Sequence, residues 1–293
     1  MKDEIFDKYH DAGDIAAKIL RRGAQEIREG VSYLEVVESI EMLVSEEGAA
    51  LAFPLNLSLN EDAAHDTAST GDVRVFARGD VAKLDLGVQI DGYIADTATT
   101  VDLGNNLRLL EASEKALDAA IKAVRPGSTA GEIGAAVQKE IECRGYRPIA
   151  NLTGHGLDQY ILHRSPTIPN IGVNGGVVLE EGMVFAIEPF ATTGSGHVRE
   201  KTRREIYSQI SQKPVRIPAA RAILDKVKDR HGLPFARRWL NEKKMDIALS
   251  ALVRSQILHV YPVLSDIPGS LVSQHEHTVI VTSDGCVVTT RSG

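Results

Sequence analysis

Hydrophobic positions along the chain fall into blocks of helical and of alternating period. From about Asp3 to Arg28, Ile15, Ile19, Leu20, Ala24 and Ile27 recur at helical spacing and predict an amphipathic helix. Ser32 with Glu35 reads as a capping box ahead of Val36, Ile40 and Leu43, and Gly48 stops that helix. Thr129 with Glu132 repeats the device ahead of Ile133, Val137 and Ile141, with Gly145 as the stop. The two cap-to-stop distances are equal.

That equality points to an internal duplication. After each capped helix comes a histidine, His65 in one half and His163 in the other. A strand with a carboxylate follows: GDVAKLD ends at Asp85, GMVFAIE at Glu188, and their glycines are in register. Two such halves packed together would set their acidic strands face to face across a pseudo-twofold axis. A third helix is predicted from about Arg108 to Val124, ending at Arg125-Pro126-Gly127. Helical spacing returns from about Ala219 to Ile257, broken by Gly232-Leu233-Pro234. The stretch Ser270 to Thr290 alternates and predicts a hairpin turned at Asp284-Gly285. Mixed helices and strands give an α+β class.

Composition adds limits. The 293 residues are 43% hydrophobic and 25% charged, ordinary for a globular chain of one large domain or two small ones. No stretch is apolar enough to span a bilayer, so no membrane partner is expected. The N-terminal MKDEIFDKYH is charged and amphipathic rather than signal-like, which makes the cytosol the expected compartment. A net charge of -7 disfavours nucleic acid as the main ligand. Cys143 and Cys286 fit a reduced interior and cannot build a cysteine zinc site alone.

The candidate chemistry lies where acidic residues and histidines interrupt apolar segments. In KLDLGVQIDGYIADTATTV, Asp91-Gly92 is a two-residue hairpin turn. Folding about it pairs Ile90 with Tyr93, Gly87 with Asp96 and Asp85 with Ala98. Asp85 and Asp96 then share a face as diagonal neighbours, with Cβ atoms roughly 7 Å apart. Two carboxylates pointing together from apolar strands repel and are poorly solvated, and a cation between them resolves the conflict. In NLTGHGLDQYILH, His155 stands between Gly154 and Gly156, where missing side chains permit close approach, and His163 follows eight positions on. Taken alone, either histidine reads as a structural residue. EEGMVFAIEPF carries Glu188 at the close of an apolar strand, costly unless paired or metal-bound. In SQHEHTVIV, alternation puts Glu276 on the face opposite His275 and His277, so those histidines are not expected as its co-ligands. Carboxylates in excess of histidines suit two divalent ions rather than one structural zinc, and such a pair activates water for attack on an acyl or phosphoryl bond.

The order Asp85, eleven positions to Asp96, then GHG, AIEPF and a late HEHT resembles the methionine aminopeptidases and their prolidase-like relatives, over essentially the whole chain. The resemblance implies the pita-bread fold, in which two related halves enclose a dinuclear centre. It carries metal ligation to Asp85, Asp96, His155, Glu188 and Glu276, and substrate contact to His65 and His163. The 88 positions from Glu188 to Glu276, with LPFARRWL and YPVL inside them, resemble the type II branch in its archaeal-like form. That implies one catalytic domain over 1–293 with a helical insertion over about 195–268. Phe53, Leu162, Phe190 and Tyr261 would line the methionine pocket, and Gln212 would stand at its rim where eukaryotic relatives carry a histidine.

The implied activity is removal of the initiator methionine from nascent polypeptides, with the ribosome as an expected place of encounter. A metal-bridging water or hydroxide would attack the first carbonyl, Glu188 would shuttle the proton, and a small second residue would be required. Two divalent ions per chain are implied, with cobalt, manganese, iron, zinc and nickel all compatible, and a monomer is expected. Two alternatives stay open: an X-Pro peptidase of the same fold, and a non-catalytic member acting as a binding protein.

Overall fold

Asp91 (φ 50°) and Gly92 (φ 87°) turn the chain back on itself in the left-handed region that a two-residue hairpin demands. The strands they join pair Ile90 with Tyr93, Gly87 with Asp96 and Asp85 with Ala98, the register expected from the sequence. This hairpin is the centre of the first half. The computed structural model describes residues 1–240 and 244–291.

The first half consists of α1 (Asp3–Glu26), α2 (Tyr33–Glu46), β1 (Ala50–Leu51), β2 (Asn56–Leu59), β3 (Asp62–Ala64), β4 (Val81–Ile90) and β5 (Tyr93–Asp102). Strand β4 is flanked by β5 on one side and by β1 and β2 on the other. Ala12, Ala16, Ile19 and Leu20 of α1 pack with Val36, Ile40 and Val44 of α2 onto Leu84, Leu86 and Val88 of β4. The capping box expected at Ser32 is only half formed. Ser32 Oγ accepts from Glu35 N, and the residues on either side of Ser32 bond the segment around Val75, Tyr33 N to the Arg74 carbonyl and Phe76 N to the Val31 carbonyl.

The second half opens with α3 (Leu107–Ala123) and α4 (Ala130–Glu142), the latter with a complete Thr129–Glu132 capping box. It continues through β6 (Arg147–Pro148), β7 (Thr153–Asp158), β8 (Ile161–Pro169), β9 (Val184–Ile187) and β10 (Phe190–Thr192). Next come β11 (Arg199–Gln209), α5 (Pro218–Val227), β12 (Phe235–Ala236), α6 (Met245–Arg254) and β13 (Leu258–Ser265). The last described elements are β14 (Val272–Gln274), β15 (His277–Val281) and β16 (Cys286–Val288). The second sheet runs β16-β15-β9-β7-β8 and packs on α3 and α4. The hairpin at Asp284-Gly285 joins β15 to β16, but β14 pairs with β10 in a different sheet.

The repeat is visible as a helix pair followed by an antiparallel triplet, β2-β4-β5 and then β7-β9-β15. The two histidines fall outside it. His163 lies on β8 of the second sheet, whereas His65 follows β3, whose partner is β13. Polar threads join the halves. Ala98 and Glu276 exchange backbone hydrogen bonds of 3.3 and 3.0 Å, Asp96 N donates to Thr278 Oγ1, and Thr97 Oγ1 donates to the Glu276 carbonyl.

Residues 199–265 pair β11 with β12 and β13 and carry α5 and α6 over a cluster of Tyr207, Ile223, Phe235, Leu249 and Leu252. The segment is therefore a sheet with helices on it rather than helical throughout. Leu233 and Phe235 sit in the break between α5 and α6, after a left-handed His231-Gly232.

Candidate metal centre

The diagonal placement of Asp85 and Asp96 on the β4–β5 hairpin aims both carboxylates into one cavity of about 420 Å³. Glu188 and Glu276 reach the same cavity from the second half. They stand one rung beyond the pair His277 and Ile187 in the β9–β15 ladder, so the two glutamates share a face as the two aspartates do. The bridge between Ala98 and Glu276 draws the two pairs together.

His155 enters from β7. Its Nε2 lies 3.7 Å from Asp96 Oδ2 and 3.5 Å from Glu188 Oε1, and donor atoms of Asp96, His155 and Glu276 lie within 4.8 Å of one another. The flanking glycines serve neighbouring strands rather than a ligand. A Cβ at Gly154 would stand 2.2 Å from the Ala186 carbonyl oxygen, and one at Gly156 2.3 Å from that of Ser165. Only glycine on both sides lets β7 press between β8 and β9 closely enough to bring His155 to Glu188.

The cluster is electrostatically unbalanced on its own. Burial holds the Asp85 carboxyl up to about 7. Asp96, Glu188 and Glu276 are pushed well above the usual carboxylate range, first by burial and then by the charge of neighbouring carboxylates. Burial, with His163 beside it, pulls His155 down to about 3. Asp85 Oδ1, Asp96 Oδ1 and His155 Nδ1 are buried without a hydrogen-bond partner. Four buried carboxylates, a neutral imidazole and orphaned acceptor oxygens make a donor set that fits divalent cations, which supply the charge the site lacks.

His65 and His163 also line the cavity, both beside Tyr261, with ring centroids 5.5 and 6.2 Å from the tyrosine. Burial and the neighbouring His163 lower His65 to about 4, and His163 is lowered likewise. Phe53, Leu162 and Tyr261 form an apolar end of the cavity, joined by Ile206 and Pro234.

One expected position moves. Phe190 is not on the wall, because it is fully buried with Ala63, Ile149, Val198 and Val272 behind the site. Gln212 lies exposed past the end of β11, and Ile206 is the residue that strand contributes. Sequence reasoning also missed Asn56, which faces Asp85 in register across β2 and β4. His275 and His277 point away from the cluster as alternation required, to Ser113 Oγ and Thr290 Oγ1, both at 2.8 Å.

The sequence matches metallopeptidase family M24 over residues 7–283. The chain belongs to that family. It is 50% identical over 292 residues to a methionine aminopeptidase of Archaeoglobus fulgidus, covering 99% of this chain and 100% of the relative. Two solved structures share the M24 fold with it. A methionine aminopeptidase from Rickettsia prowazekii superposes with a TM-score of 0.74 at 24% identity, covering 99% of this chain and 98% of that one. A thermophilic Arx1 gives 0.89 at 20% identity, covering 99% and 91%. At these identities the structural likeness carries the fold alone, and the fold is the two-halved pita-bread architecture. M24 membership makes the chain a metallopeptidase, and the donor set of the carboxylate-rich cavity fits divalent metal.

Proposed function

We propose that this chain removes the N-terminal methionine from nascent proteins and peptides in the cytosol. The observation that carries the reading is the continuity of a single cavity. It has a five-donor acidic cluster at one end and an apolar side-chain pocket at the other, in a chain half identical to an archaeal methionine aminopeptidase. Asp85, Asp96, His155, Glu188 and Glu276 would hold two divalent cations, with cobalt, manganese, iron, zinc and nickel all suited to these donors. When bound, such a pair supplies Lewis-acid activation of water and of the scissile carbonyl.

The chain's own groups do the rest. Glu188 lines the cavity beside His155, where it takes the proton of the attacking water and returns it to the leaving amine. His65 Nδ1 faces the Pro262 carbonyl at 3.3 Å, so Nδ1 carries the hydrogen and Nε2 is left to accept from a substrate N–H. His163, neutral near pH 7, donates to the carbonyl oxygen as it gains charge. Phe53, Leu162, Ile206, Pro234 and Tyr261 receive the unbranched thioether, which suits an apolar slot. A second residue with bulk meets the wall, so small second residues are preferred. A monomer meeting N-termini near the ribosome is the simplest working form.

Release of free methionine from Met-Ala-Ser and Met-Pro peptides, after cobalt or manganese is added back, tests the proposal. Release from Met-Ala-Ser that is lost with chelator and with Glu188→Ala is the expected result. A folded, metal-loaded protein that releases none would overturn it, and cleavage confined to Met-Pro peptides would favour an X-Pro peptidase.

A further inference from the structure

We infer that Gly87 is a specificity-determining position, because its missing side chain is the seat of the Phe53 ring and so sets how far the apolar end of the cavity extends. The inference rests on reading that end as the pocket for the substrate's first side chain.

Gly87 lies on β4 two residues beyond Asp85 and in register with Asp96. It does not adopt a left-handed conformation, so its backbone does not call for glycine. What calls for it is space. A Cβ built there would stand 2.2 Å from Phe53 Cε1, 2.5 Å from Cδ1 and 2.9 Å from Cζ. Each is below the approach two carbons tolerate, so the ring must move.

The ring has few directions to go. Ala52 N donates to the Gly87 carbonyl at 2.8 Å, which fixes the backbone beneath it. Behind, Phe53 packs in a buried cluster with Tyr9, Ile94, Leu157 and Leu233. The open side is the cavity, whose wall Phe53 already forms together with Leu162. A methyl group at position 87 therefore drives the ring inward and shortens the pocket, without adding an atom to the wall itself.

The test compares the full-length, metal-loaded wild type with Gly87→Ala and with Gly87→Ala/Phe53→Leu on X-Ala-Ser peptides, X being methionine, norvaline or α-aminobutyrate. Metal stoichiometry is read by calorimetry and stability by thermal unfolding. Gly87→Ala is expected to raise KM for the methionine peptide about tenfold, to move preference toward the shorter side chains and to leave metal stoichiometry intact. The added Phe53→Leu is expected to restore both methionine preference and melting temperature. An unchanged preference in folded, metal-loaded Gly87→Ala overturns the inference. So does a double variant no better than the single one in KM and melting temperature, since Gly87 would then act through the metal-bearing strands. No methionine release by the wild type sinks the aminopeptidase reading itself and takes this assignment with it.

Discussion

His155 on β7 and Glu188, just past the end of β9, meet with Nε2 and Oε1 3.5 Å apart because Gly154 lets β7 close on the Ala186 carbonyl of β9, while Gly156 lets it close on the Ser165 carbonyl of β8. The glycines are thus as necessary to the site as the donors they bring together. Gly154→Ala puts a methyl group against the Ala186 carbonyl and is expected to cost about 1–3 kcal/mol, typical of overpacking. It should lower metal affinity at least as much as His155→Ala does. Calorimetric metal titration decides it, and wild-type affinity in the alanine variant would refute the account.

Stability of the chelated protein should depend on pH in a definite direction. The carboxyls of Asp85, Asp96, Glu188 and Glu276 are held above their ordinary values, so the folded state keeps protons that the unfolded chain has lost. Their contribution is full in acid and disappears as pH rises through the folded values, about 7 for Asp85. Buried neutral histidines work oppositely, but only below about pH 6.5, where the unfolded chain takes up their protons. Between about pH 8.5 and 6.5 the melting temperature in excess chelator should therefore rise as pH falls. Saturating manganese should abolish or reverse that slope, because metal and protons compete for the same oxygens. Parallel curves with and without metal would contradict this.

His275 and His277 flank Glu276 in sequence but turn to Ser113 and Thr290. Replacing either with alanine removes one hydrogen bond from a hydroxyl that keeps others, Ser113 with Leu110 and Ser273 and Thr290 with Thr278, a loss of about 0.5–1.5 kcal/mol. Metal stoichiometry should not change, whereas Glu276→Ala should reduce it. A lowered stoichiometry in either histidine variant would show that alternation misassigned them.

Glu41 ties three parts of the chain together. Its carboxylate accepts from Leu55 N at 3.2 Å and from Trp239 Nε1 at 2.9 Å, and it pairs with the buried Arg238 guanidinium. Glu41→Ala strands that cation and is expected to cost about 3–5 kcal/mol. Glu41→Gln, which retains an acceptor, should cost less. Thermal unfolding of the two variants, compared with wild type, gives the ranking, and equal melting temperatures would remove the clasp.

Much of the centre was legible because local rules settle it. The Asp91-Gly92 turn dictates the register of β4 and β5, and that register puts Asp85 and Asp96 on one face. Period-two alternation separates Glu276 from its histidine neighbours. Errors arose where the answer depends on residues far away in sequence. Phe190 was drawn into a core with Ala63 and Val272. Asn56, Ile206 and Pro234 reach the cavity through pairings of β2 and β11 that no local pattern announces.

Ile206, Pro234 and Tyr261 come to the cavity from a stretch that folds around its own apolar cluster, while the acidic donors hang on the two sheets. Part of recognition is consequently carried by a length of sequence separate from the chemistry, with Phe53 and Leu162 supplying the rest from elsewhere in the chain. Drift in residues 199–265 can reshape what the enzyme accepts while the hydrolytic apparatus is inherited unchanged. For an engineer, that stretch is a place to diversify the pocket without touching a strand that bears an acidic donor.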